Sequence, residues 1–340
     1  MKVALDAQLT VGTATGIGEY VRGLADALRV RGLDVAELRQ PSLDPWRFDR
    51  RVVWDQFLLP KRARDSQAAL LHCAAGTMPR FAGLPIVVTV HDLAWHEAQA
   101  HAPPYARYYF GRFSLRQYRR AARIIVDSAF SRDELLRLTN DLDPQRIVVV
   151  YPGVAADFCN LKRTTGDGRT ILVVGTIERR KNLEVLVRAL PRLTGTQLVA
   201  IGPQTEYARE CAELARRLQV ADRVEMPGYI PRADLLELYR RSAVAAVPSR
   251  YEGFGYAAAQ ALCAGVPCVV SNSSSLPEVA GMDARVVDAV DADAWAEALA
   301  PALRGDDDAR AAAARDRAIA RFAWATSAGQ IESVYVSVNR

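Results

Sequence analysis

Three cations in a row, Arg179, Arg180 and Lys181, open an amphipathic stretch in the segment VVGTIERRKNLEVLVRAL. A guanidinium grips phosphate with two prongs, and an ammonium adds a point charge beside it. Cations at a helix N-terminus also oppose the helix macrodipole. The placement therefore favours an anion, with phosphate the expected one and a solvated basic helix start the alternative. A second segment, RYEGFGYAAAQALCAGVPCVV, sets Glu252 and two glycines before an alanine-rich helix, with Gln260 eight positions on. That arrangement puts a carboxylate at the mouth of a helix and an amide two turns in. An amide accepts at one end and donates at the other.

Two further candidates lie earlier in the chain. His91 ends the apolar run VVTVHDL, where an imidazole can hydrogen-bond a hydroxyl; a satisfied structural histidine is the alternative. His91, His96 and His101 are spaced by five, which spreads them around a helix, so no metal site is expected. In GTATGIGEYVRGLADAL, Gly16 and Gly18 let backbone N–H groups approach an anion or a sugar at the start of a helix; a plain tight turn is the other reading. The dinucleotide pattern G-x-G-x-x-G is not met, because Tyr20 and Val21 stand where it needs space and glycine. The run Asp306–Asp308 is expected to cap a helix, and Ser275 to Glu278 reads as a capping box with Pro277 in the first turn. Residues 104–123 carry Arg107, Arg112, Arg116, Arg119, Arg120 and Arg123 without an acid, and Tyr105, Tyr109 and Phe113 recur at helical spacing. Such a stretch suits an interfacial helix on anionic lipid, or a helix whose aromatics pack on a sheet.

These residues need a scaffold. The chain has 340 residues, half of them apolar, and its mean hydropathy of -0.04 marks a globular protein. That length points to two compact units. The net charge of +5 suits phosphate-bearing ligands or an anionic surface, though arginine-rich solvated helices give the same number. Five cysteines, Cys73, Cys159, Cys211, Cys263 and Cys268, form no C-x-x-C and are expected as buried thiols. The N-terminus MKVALDAQLT reaches Asp6 before an apolar signal core can form, and no run approaches the roughly 18 apolar residues of a spanning helix. A cytoplasmic protein is expected.

Short β-branched runs alternate with longer amphipathic stretches throughout. KVALD, DVAEL, AALLHC, PIVVTV, RIIVDS and RIVVVYPG read as strands in the first half; TILVVGT, TQLVAIG, RVEMPG, AVAAVPS, VPCVVS and ARVV repeat the rhythm in the second. Apolar strands separated by helices argue for parallel sheets covered on both faces. The polar, glycine-bearing NLKRTTGDGRT, 160–170, reads as the linker. The expected layout is a domain over 1–160, a second over 161–320, and a last helix over 321–340 returning to the first; the tail from Asp306 onward is expected to be helical, with Phe322, Trp324 and Tyr335 as anchors. Ligands of such sheets bind outside the carboxyl ends of the strands. Gly16, His91, Ser128, Gly153, Gly175, Gly202 and Ser249 occupy those ends, and a cleft between facing domains is the expected site.

VVGTIERRKNL together with PSRYEGFGYAAAQALCAGVPCVVSNSSSLPEVAG closely resembles the C-terminal half of retaining glycosyltransferases of family four. GIGEY, VTVHDL, VDSAFSRDEL, VVVYPGV and GYIPRADLLELYRRS fall where that family has its other landmarks. The resemblance implies a GT-B fold: α/β, with two Rossmann-like doubly wound parallel-sheet domains facing a cleft. It implies transfer of a sugar from a nucleoside diphosphate to a hydroxyl with retention of configuration, usually without a metal and with no cofactor. By resemblance, Arg180 and Lys181 hold the diphosphate, while Glu252 and backbone groups of Phe254, Gly255 and Tyr256 meet the donor. Gly175 belongs to the donor loop, Ile230 edges the base, His91 reaches the transferred sugar, and Gly16, Ile17 and Gly18 border the acceptor. The family's second glutamate, which accepts from the ribose diol, is here Gln260. The segment's style is similar to bacterial GDP-mannose users that build surface polysaccharides. The implied partners are a nucleotide-sugar donor and a glycan or lipid-linked acceptor, with peripheral contact at the inner face of the plasma membrane and no nucleic acid. A UDP-sugar transferase and a non-catalytic nucleotide-sugar binder are the alternatives.

Overall fold

The structure is a computed structural model that describes the whole chain apart from residues 13–15, 97–103, 164 and 340. The backbone divides into two units, one formed by Met1–Gly153 with Ala323–Arg340 and the other by Val154–Phe322. Each is built on a six-stranded sheet. Every strand pairing in both sheets is parallel.

The first sheet comprises β1 (Lys2–Asp6), β2 (Asp34–Leu38), β3 (Leu70–Cys73), β4 (Ile86–Val90), β5 (Arg123–Val126) and β6 (Ile147–Val149), in the order β2-β1-β3-β4-β5-β6. Alternate residues feed two cores. Val3, Leu5, Leu70, Val87 and Ile125 face one side, where the helix Gly16–Val30 and the last helix, Trp324–Val338, cover the sheet. Ala4, Leu71, Val88, Ile124 and Val126 face the other. Tyr335 is fully buried, and Trp324 lies so close to Gly23 and Gly153 that a Cβ on either would stand within 2.3 Å of the indole. Glycine at those two positions admits the indole, which seats the last helix on the first unit.

The second sheet comprises β7 (Thr170–Val174), β8 (Gln197–Ile201), β9 (Val224–Gly228), β10 (Val244–Val247), β11 (Cys268–Ser271) and β12 (Arg285–Val287). Its order is β12-β11-β10-β7-β8-β9. All of these strands fall on runs read as strands from the sequence, although Val224–Gly228 holds a single β-branched residue.

The expected linker, 160–170, is held to the second unit at Arg163 and Asp167 and ends in β7. Arg163 ion-pairs with Asp308 at 2.7 Å and donates to the Ser242 carbonyl, and the Asp167 N–H donates to the Arg241 carbonyl. Its polarity is satisfied by the amino-terminal edge of the sheet, which composition alone cannot reveal. Two expected caps are also corrected. Asp307 is engaged by Arg285 and Asp308 by Arg163, and neither accepts a capping bond from its helix. Ser275 does stand at the N-cap position, but its side chain accepts no capping bond and its hydroxyl donates to the Glu252 carbonyl at 2.9 Å.

The basic stretch is no regular amphipathic helix. Pro104–Arg107 and Ser114–Tyr118 are α-helical, and Tyr108–Phe113 between them is a π-turn. The wider turn breaks the four-residue repeat. Tyr105 is 56% exposed, whereas Tyr109 is buried and stacks on Phe113. Arg119 pairs with Asp141, and Arg123 lies in β5. Cys159 is half-buried where burial is expected; the other four cysteines are buried, and all five are free.

Candidate active site

Open parallel sheets bind ligands at the point where the strand order reverses, outside the carboxyl ends. In the second sheet that point lies between β10 and β7. The loop leaving β7 carries Gly175, Arg180 and Lys181, and the loop leaving β10 carries Ser249 and Glu252. Sequence-distant chemistry is therefore brought together by strand order. Gly175, Thr176, Lys181 and Ser249 line one pocket. A Cβ on Gly202, which ends the adjacent β8, would stand 2.2 Å from the Gly175 carbonyl oxygen, so only glycine allows the two strand ends to approach this closely.

Glu252 is the hub. One carboxylate oxygen accepts from Lys181 Nζ at 2.6 Å and from the Ser249 hydroxyl at 2.7 Å. The other accepts from Arg180 at 3.2 Å. The Glu252 N–H donates to the Ser274 hydroxyl at 2.8 Å, and its carbonyl accepts from Ser275. Burial alone would raise the Glu252 pKa, but Lys181 and Arg180 overcome this and hold it below the usual carboxylate range. Arg180 also donates to the Tyr251 carbonyl and pairs with Glu178 at 2.8 Å. The anion that the cation run calls for is thus supplied by the protein's own carboxylates.

The three cations do not act together. Arg179 turns away to Glu210 and lies over the Tyr207 ring. They form a single 3-10 turn, ended by Asn182 in the left-handed region with φ 57. Asn182 is buried and donates to the carbonyls of Pro248 and Ala289, which ties the cation turn to the loop after β10.

Gly255, with φ 94, ends that loop and starts the helix Tyr256–Cys263. A Cβ there would meet Leu276 at 2.6 Å. Phe254 is buried against Phe322, and Tyr256 is half-buried at the helix mouth. Gln260 is buried in this helix, and its side-chain amide oxygen accepts from the Tyr239 hydroxyl at 3.3 Å. Ile230 is half-buried just beyond β9.

In the first unit the order reverses between β1 and β3. Gly16, Ile17 and Gly18 form the first turn of the helix that follows β1, with Gly16 exposed and Gly18 buried. Residues 13–15 before them, His101 and the side chain of His96 lie outside the described residues. His91, just after β4, has Nδ1 2.7 Å from Asp127 and Nε2 2.9 Å from the Ala74 carbonyl. Tyr20 meets the His91 ring edge-on at 4.7 Å. Sequence reading passed over Asp127, Ser274 and Asn182. Asp127 stands at the end of β5 beside Ser128, so the strand-end rule that selects Ser128 also points to it.

Two parallel sheets, with a cation pair clasping a carboxylate at one reversal point, define a two-unit α/β protein. Comparison with known proteins gives the family. Residues 162–319 match the model of Glycosyl transferases group 1, and residues 14–158 match that of Glycosyltransferase Family 4. The chain is 31% identical to the O-antigen chain mannosyltransferase B of Escherichia coli, over 73% of this chain and 69% of that protein. It is 31% identical to the D-inositol 3-phosphate glycosyltransferase of Mycobacteroides abscessus, over 74% of this chain and 60% of that protein, so the alignment spans under two thirds of the latter's length. Among solved structures, the sucrose-phosphate synthase of Thermosynechococcus elongatus superposes with a TM-score of 0.77 at 22% identity, covering 99% of this chain and 98% of that one. The Anabaena protein HepE, solved with UDP-glucose, superposes with a TM-score of 0.75 at 17% identity, covering 99% and 100%. The chain belongs to the glycosyltransferases of family four, and its fold is GT-B.

Proposed function

We propose that this protein is a retaining glycosyltransferase that moves a hexose from a nucleoside diphosphate to a hydroxyl of a glycan or lipid-linked oligosaccharide in bacterial surface polysaccharide synthesis. The observation that carries the reading is the clasp of Lys181, Arg180 and Ser249 on Glu252 at the reversal point of the second sheet. Bond cleavage at the anomeric carbon leaves negative charge on phosphate oxygens. Preorganised cations aimed at those oxygens lower the barrier without reorganising. Lys181 and Arg180 are 21% and 25% exposed, so a diphosphate can exchange with the Glu252 carboxylate for their charge. We assign no metal or cofactor to this step, because these two side chains supply the positive charge it needs.

Mannose from GDP-mannose is the donor we favour, supported by similarity to the O-antigen mannosyltransferase. A UDP-sugar is the second reading, supported by the likeness to a protein solved with UDP-glucose. A thermal-shift panel of GDP, UDP, ADP and their mannose and glucose conjugates tests both. A shift for the guanine series alone supports the first reading, a shift for the uracil series alone replaces it with the second, and no shift for any nucleotide overturns donor binding.

We further propose peripheral contact of the first unit with anionic lipid through residues 104–123. Arg107, Arg112 and Arg116 are exposed there, as are Tyr105 and Tyr108, and Phe48 packs on Tyr105. No helix among the described residues is long and apolar enough to cross a membrane. Co-sedimentation with vesicles of anionic lipid should weaken with salt and with Arg112→Glu plus Arg116→Glu. Equal binding to neutral vesicles, or none to either, would remove this contact.

A further inference from the structure

Two buried histidines of the first sheet sit in opposite surroundings. His72, in β3, has Nδ1 2.6 Å from the Tyr335 hydroxyl and Nε2 2.7 Å from the Thr89 hydroxyl. A hydroxyl can donate or accept, so one neutral tautomer satisfies both contacts. Burial pushes its pKa down to about 3, which keeps the ring neutral.

His91 meets acceptors on both sides. Nδ1 faces the Asp127 carboxylate and Nε2 faces the Ala74 carbonyl oxygen. A neutral imidazole has a single N–H and would leave one nitrogen lone pair aimed at oxygen lone pairs. Asp127 is buried, and its other oxygen has no hydrogen-bond partner among the described residues. A neutral His91 would therefore leave a buried carboxylate without a counter-charge, which is costly.

We propose that His91 stands as a resident imidazolium, and that Asp127 is the positioning residue that holds it across the carboxyl ends of β3, β4 and β5. Ala74 follows β3, His91 follows β4 and Asp127 follows β5, so one ring clasps three neighbouring strand ends. The groups that face this ring are the carboxylates of Asp127 and Asp92, the neutral His72, and the Tyr20 ring, whose hydroxyl contacts Thr89. Burial works against the charge, but the Asp127 carboxylate and the Ala74 carbonyl outweigh it and the pKa is raised. A ring with both N–H groups committed takes no proton from a hydroxyl. In the transfer proposed above, on which this last step rests, His91 supplies a fixed cationic edge beside the acceptor turn and is no general base.

Imidazole nitrogen NMR on the full chain decides the matter without using activity. Only four histidines contribute, and His91→Gln assigns the signal by its loss. Wild-type His91 should show imidazolium shifts at about pH 7, above the ordinary histidine pKa, while His72 stays neutral. In Asp127→Asn the isosteric amide can donate to Nδ1 while Nε2–H keeps the Ala74 carbonyl, so the ring should become a neutral Nε2–H tautomer by about pH 7. Asp127→Glu should restore the imidazolium. With the preferred donor, kcat/KM of Asp127→Asn should fall about tenfold more at pH 8 than at pH 6, relative to wild type. A wild-type His91 that is neutral at pH 7, or an Asp127→Asn variant whose His91 signal is unchanged, overturns the proposal. Normal NMR behaviour with no transfer from any donor would retire the proposed function and leave the imidazolium standing.

Discussion

Both reversal points hold an arginine paired with carboxylates, yet the two clusters are solvated differently. In the first unit Arg51 lies between Asp6, at the end of β1, and Asp55, at 3.1 and 3.0 Å, with all three side chains at most 4% exposed. Trp54 and Thr77 close the set, and the Tyr109 hydroxyl donates to Asp55. In the second unit Arg180, Lys181 and Glu252 remain 10 to 25% exposed. Burial lifts the Asp55 pKa to about 6 despite Arg51, whereas Lys181 and Arg180 hold Glu252 below the usual range despite burial. The same ion-pair chemistry therefore serves two ends. A cluster sealed from water braces the helix Phe48–Val53 and the π-turn 108–113 onto the sheet end. A cluster partly open to water leaves its cations within reach of solvent, as the proposed donor binding requires.

The largest expected effect comes from breaking the sealed cluster. Arg51→Ala leaves two buried carboxylates uncompensated and should cost about 3–5 kcal/mol in denaturant unfolding. Lys181→Ala should cost much less in the same assay, because Glu252 keeps Arg180 and Ser249. Equal losses in the two variants would erase the distinction between brace and binding site.

Activity should invert that ranking. Lys181→Ala or Arg180→Ala should lower kcat/KM by about 100-fold, the scale of losing one transition-state donor. A folded double variant with near-normal turnover would take the open cluster out of the chemistry.

Acid titration of stability sharpens the contrast, since the two shifts have opposite signs. Asp55 has a raised folded pKa, so its contribution is full below its ordinary 3.8 and is lost as pH climbs to about 6. Glu252 has a depressed folded pKa, so its contribution is present above its ordinary 4.5 and is lost as pH falls through the folded value. Asp55→Asn should flatten the stability profile between about pH 4 and 6, and Glu252→Gln should flatten it below about 4.5. Unchanged slopes in both variants would contradict the charge assignments.

The smallest effect concerns Gln260. If its amide serves the ribose, Gln260→Ala should weaken nucleoside diphosphate binding by about 1 kcal/mol, and a 2′,3′-dideoxy nucleotide should abolish the difference. If it serves only Tyr239, calorimetry will show no change in affinity, and Tyr239→Phe should reproduce its stability loss.

Much of the fold was legible because strands announce themselves locally. VVTV, RIIV and CVVS are apolar on both faces, as parallel strands covered by helices must be. Glycines at strand ends, such as Gly175 and Gly202, were readable for a related reason: a positive φ and a close backbone approach admit little else. The polar stretch 160–170 matches a linker by its glycines and charges, and only the partners Asp308, Ser242 and Arg241 show that Arg163 and Asp167 are held in place. The π-turn at 108–113 broke a repeat that reads cleanly as helical.

The sequence by itself determined the strands, the residues at their ends, and the cation turn and Glu252 segment that mark the family. Tertiary structure decided who meets whom. Strand order places β7 beside β10, and so joins Lys181 to Glu252. It likewise sets Ala74 and Asp127 on either side of His91. Those pairings depend on which strands become neighbours across long stretches of chain. Composition and spacing report only what each segment does alone, whereas the charge state of a side chain follows from the atoms that surround it.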